Sequence, residues 1–80
     1  MTNDEILRQV NEIFRDVFDD ADITVTEETT AEDIEDWDSL THITLIGEVE
    51  AAFGFKFGMK DVLGMKNVGE MLEIIQKNIG

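Results

Sequence analysis

Apolar positions along the chain fall mainly into helical stripes. Ile6, Leu7, Val10, Ile13, Phe14, Val17 and Phe18 are separated by steps of one, three and four residues, which places them on one face of a 3.6-residue period. Thr2 and Glu5 have the spacing of a capping box, so a first helix is predicted from there to about Phe18, where Asp19, Asp20 and Asp22 begin. A second helix is predicted over 39–53, with Leu40, Ile43, Leu45, Ile46, Val49, Ala52 and Phe53 as a broad apolar face. Phe53-Gly54-Phe55 marks its end: Gly54 is free to take the left-handed conformation, and Phe55 folds apolar surface back onto the last turn. Between Gly58 and Gly64 there is room for one or two helical turns. A last helix is predicted from Asn67 to about Asn78, with Asn67 and Glu70 at cap spacing and Val68, Met71, Leu72, Ile75 and Ile79 as its stripe.

Residues 19–38 join the first two helices. A connection of that length is uncommon in a compact domain, but Ile23, Val25, Ile34 and Trp37 give it apolar anchors. Ile23-Thr24-Val25-Thr26 alternates as a strand does, yet it is short and has no partner, so the segment is read as an ordered loop. Trp37 is read as the residue that pins it to the bundle. The expected fold is all-α: one domain over 1–80, a small bundle of three main helices plus a short third helix, with a long ordered loop between helices one and two.

Charge narrows the partners. The chain has 19 acidic and 6 basic side chains, a formal net charge of −13. Residues 1–53 hold 16 of the acids against Arg8 and Arg15, and residues 54–80 hold three acids against four lysines. Such a surface repels phosphates of nucleic acid and anionic lipid, so neither nucleic-acid binding nor membrane insertion is expected. No apolar run is long enough to span a bilayer and no signal-peptide pattern opens the sequence, so a cytoplasmic protein is expected; it is read as a monomer. With no cysteine and one histidine, thiol chemistry has to arrive on a cofactor and no multi-histidine metal site is available. The acids Asp33, Glu35, Asp36 and Asp38 lack the ligand pattern of an EF-hand, and no resident metal is expected.

Asp36-Trp37-Asp38-Ser39-Leu40, where the acidic loop meets the second helix, is the candidate site. Ser39 or Asp38 suits a plain structural role as N-cap. The same place also suits a phosphodiester, because the free N–H groups and the positive end of the helix dipole favour an anion. No catalytic partner accompanies Ser39: His42 stands three residues on, and no glycine-rich nucleophile elbow precedes the serine. A modified serine fits better than an attacking one. His42 reads as a boundary residue, and Met59, Met65 and Met71 as flexible core filler. Gly47 costs its helix about 1 kcal/mol relative to alanine, which implies close approach of a neighbouring helix or a partner.

Asp38-Ser39-Leu40 resembles the attachment motif of the acyl carrier proteins, in which the serine opens the second helix. The likeness extends to the helix closing on Phe53-Gly54-Phe55, the short third helix, Asn67-Val68-Gly69-Glu70, the long first loop and the acidity, and so covers essentially the whole chain. It implies a non-catalytic carrier with 4′-phosphopantetheine on Ser39, flanked by Asp38 and Leu40, holding acyl groups as thioesters in fatty-acid, polyketide or related biosynthesis. A phosphopantetheinyl transferase using magnesium would install the arm. Acyl-transferring or condensing enzymes of one pathway would dock on Asp38, Leu40, Ile43, Gly47 and Glu50. Acyl chains would retreat along Leu45, Ile46, Val49, Val62 and Leu63. Thr41, Thr44 and Ala51 are neutral where the family commonly has acids, which weakens steering toward basic partners and points to a specialised carrier. The alternatives are a peptidyl or aminoacyl carrier on the same serine, an unmodified acidic helical adaptor, and a small hydrolase for which no triad is visible.

Overall fold

Each helix starts and stops where local chemistry directs. The computed structural model describes residues 2–79. Helix α1 spans Asn3–Val17. Thr2 Oγ1 accepts from the Glu5 N–H at 3.2 Å and Glu5 Oε1 accepts from the Thr2 N–H at 3.3 Å, completing the predicted capping box. Helix α2 spans Ser39–Phe53 and ends on Gly54 at φ 72°, whose N–H donates to the Glu50 carbonyl at 2.8 Å. Helix α3 is the short Met59–Gly64, and α4 spans Val68–Ile79. Asn67 Oδ1 caps α4 by accepting from the Glu70 N–H at 2.9 Å. The architecture is all-α, as expected.

Helix α1 packs against both α2 and α4. Their apolar stripes meet in one core: Ile6, Val10 and Phe14 from α1, Leu45 and Val49 from α2, and Val68, Met71 and Ile75 from α4 are fully buried. The broad face expected on α2 is divided. Leu45, Ile46 and Val49 point inward, whereas Leu40 and Ile43 are 77% and 67% exposed. An apolar side chain every one or two residues covers more of the helix circumference than one core-facing stripe. Met59 also departs from its expected place as core filler: it is 75% exposed, because α3 buries none of its residues. Met65 is half-buried and Met71 fully buried.

The first loop is ordered without strands. Val25 is buried and pairs through its backbone with the Asn11 side chain. Two further bonds tie the loop to the start of α4, Val68 N–H to the Thr29 carbonyl at 2.9 Å and Gly69 N–H to the Glu27 carbonyl at 2.8 Å. A Cβ at Gly69 would lie 2.9 Å from that Glu27 oxygen, so glycine is required by close approach. Trp37 closes the loop as an anchor, 8% exposed, with its ring edge-on to Phe14 at 5.2 Å between centroids.

Candidate functional site

The loop delivers the chain to α2 through Asp38. Its Oδ1 accepts from the N–H groups of Leu40 and Thr41, both at 3.0 Å. Thr41 returns the contact, its Oγ1 accepting from the Asp38 N–H at 2.7 Å while donating to the Asp36 carbonyl at 2.8 Å. Thr41, neutral where the resemblance led to expect an acid, therefore closes the cap. The Thr41 N–H, above all, holds the Asp38 carboxyl below its usual range. Of the two readings of this helix start, Asp38 is the N-cap.

This assignment frees Ser39. It occupies the first turn of α2 and is exposed, and among the described residues no hydrogen bond engages its Oγ. One expectation changes: the N–H groups of Leu40 and Thr41 are taken by Asp38, so the anion seated on them is the protein's own carboxylate. A phosphodiester on Ser39 would project outward from the helix start. The residues present fit it, since the hydroxyl is open to solvent and unspent. Ser39 is also the only serine in the 80-residue sequence, a signal that the spacing of motifs does not convey.

The other expected site residues surround Ser39 unevenly. Leu40 and Ile43 stand out from α2 beside it. Gly47, one turn beyond Ile43, is exposed, and a Cβ there would meet nothing within 4 Å, so no neighbouring helix accounts for it. Glu50 is half-buried and its Oε2 accepts from the Phe57 N–H at 2.8 Å; its carboxylate braces the segment before α3. Leu45 and Val49 are packed in the core.

His42 is the residue the sequence concealed. Trp37 Nε1 donates to its Nδ1 at 3.0 Å, and its Nε2 lies 3.1 Å from the Val62 carbonyl. A groove of about 370 Å³ lies beside it, between the start of α2 and α3, lined by Trp37, Ser39, His42, Val62, Leu63 and Met65 among others. A larger hollow of about 720 Å³ lies around Asn67, Glu70 and Gln76 and does not include Ser39. Among the described residues no cluster of three carboxylate or imidazole groups is arranged to hold a metal, and no helix is long and apolar enough to cross a membrane.

Comparison with known proteins agrees with this geometry. Residues 8–75 match the family described as the phosphopantetheine attachment site. The meromycolate extension acyl carrier proteins of Mycobacterium leprae and Mycobacterium tuberculosis are 30% identical to the chain over 77 residues, 96% of this chain and 67% of theirs. The solution structure of a holo acyl carrier protein from Geobacter metallireducens superposes with a TM-score of 0.85 at 42% identity, covering 90% of this chain and 83% of that one. The chain belongs to the phosphopantetheine-attachment family, among its acyl carrier proteins. Its cofactor is covalently bound 4′-phosphopantetheine and its role that of a carrier domain in fatty-acid or related biosynthesis.

Proposed function

We propose that Ser39 is the attachment point, in a single domain over 1–80 that is itself a substrate of a phosphopantetheinyl transferase and catalyses nothing. The observation that carries this is an unspent, exposed hydroxyl on the only serine of the sequence, one residue after the cap of α2. In the modification, Ser39 Oγ forms a new bond to the pantetheine-side phosphorus of coenzyme A. The diphosphate linkage breaks, adenosine 3′,5′-bisphosphate leaves, and the serine proton passes to a base on the transferase. When bound, the arm supplies a thiol for thioester formation, which the cysteine-free chain lacks.

Asp38 holds the backbone so that Ser39 points outward. Leu40 and Ile43 present apolar surface to enzymes that dock at the arm, and Gly47 lets them approach the helix closely. Neutral side chains at Thr41, Thr44 and Ala51 lower the charge of this face, which favours partners recognised by shape and apolar contact over those drawn in by charge. That combination supports a carrier specialised for one pathway. Digestion of the modified protein and mapping of the added mass to the peptide containing Ser39 tests the attachment; mass on any other peptide overturns it.

A further inference from the structure

The imidazole of His42 joins three parts of the chain around Ser39. An indole N–H only donates, so His42 Nδ1 accepts from Trp37 Nε1 and carries no proton in this arrangement. The proton of the neutral ring is then on Nε2, which donates to the Val62 carbonyl. Both ring nitrogens are used. The end of the first loop, helix α2 and helix α3 are thereby linked through one side chain. The indole and imidazole planes are also inclined by only 28° at 5.9 Å between centroids.

Helix α3 has few other ties to the bundle. It is six residues long and buries none of them, so its hold on the bundle comes from the partly covered Val62, the following Met65 and the bond to His42. The groove that starts at Ser39 runs between α2 and α3. On α2 His42 lies one turn beyond Ser39, and Leu45 and Ile46 lie one turn further. A chain passing from the groove toward the core therefore meets the bridge first, and behind it Leu45 and Val49 are already fully packed. Displacing His42 leaves the buried indole N–H without an acceptor.

We infer that His42 sets how far an acyl chain enters the bundle: with the bridge closed, acyl groups of a few carbons shelter in the groove, and longer saturated chains stay outside the helical core. This rests on attachment at Ser39. The wild type and His42→Leu would be loaded from acetyl, butyryl and octanoyl coenzyme A, checked by mass, and compared by NMR. In the wild type, acetyl and butyryl groups are expected to shift Val62, Leu63 and Met65. The octanoyl group is expected to leave the methyls of Leu45, Ile46 and Val49 unmoved and the Trp37 indole proton slow to exchange. In His42→Leu, the octanoyl group is expected to move those core methyls. Octanoyl-induced shifts of the core methyls in the wild type overturn the inference even if the variant does not fold, as does a folded variant that responds like the wild type. No mass gain overturns the attachment itself, and this inference with it.

Discussion

Asn11 pairs with Val25 as a neighbouring strand would: its Oδ1 accepts from the Val25 N–H at 2.6 Å and its Nδ2 donates to the Val25 carbonyl at 3.2 Å. The same amide donates to the Leu7 carbonyl one turn earlier at 3.0 Å. One polar side chain on the buried side of α1 thus satisfies both backbone groups of a buried loop residue. This is how a long connection lies against the core without a sheet to absorb its hydrogen bonds.

Replacing Asn11 by leucine keeps similar bulk and leaves both Val25 groups unpaired. Loss of roughly 1–3 kcal/mol is expected, read as a lower urea midpoint, with faster amide exchange at Val25. An unchanged midpoint would show that water replaces the amide without cost.

Two glycines should respond in opposite directions. Gly69→Ala drives a Cβ toward the Glu27 carbonyl, and the overpacking cost of roughly 1–3 kcal/mol outweighs the gain of about 1 kcal/mol in helix propensity. Gly47→Ala meets nothing and should stabilise the protein by up to about 1 kcal/mol. Paired urea titrations read both signs, and destabilisation by Gly47→Ala would contradict the structure.

Trp37→Ala removes the contact with Phe14 and the donor to His42. A loss of about 3–5 kcal/mol is large against a total stability of roughly 5–15 kcal/mol. Amide exchange across 19–38 should quicken, whereas Trp37→Phe should retain most of the stability. Unchanged exchange in the alanine variant would refute the anchoring role.

Acid should act on the start of α2 through Asp38. Its folded-state pKa is lowered from 3.8, so the carboxylate stabilises the fold above the unfolded value and that contribution is lost as pH falls through the lower folded value. The stability difference between the wild type and Asp38→Ala should hold steady from neutral pH to about pH 4 and shrink below it. A difference that grows in acid would reverse the assignment.

Much of this protein was legible because its signals are local. The stripe of Ile6, Val10 and Phe14, the Thr2–Glu5 box and the Gly54 stop each lie within one or two turns, and the helices follow them. Asp38 and Ser39 were ambiguous as caps because both suit the position; only the direction of the carboxylate separates their roles. Asn11 was hidden because its partner lies 14 residues away, and His42 because its partners lie five and 20 residues away. Helix α2 has apolar residues around most of its circumference, so periodicity alone did not separate Leu45 from Leu40.

The most direct test of the central claim is the intact mass after incubation with coenzyme A, magnesium and a broad-specificity phosphopantetheinyl transferase, with Ser39→Ala in parallel. One phosphopantetheine-sized gain in the parent and none in the variant is the expected result. A folded parent that gains no mass with several transferases, or a variant that gains as much as the parent, would contradict attachment at Ser39.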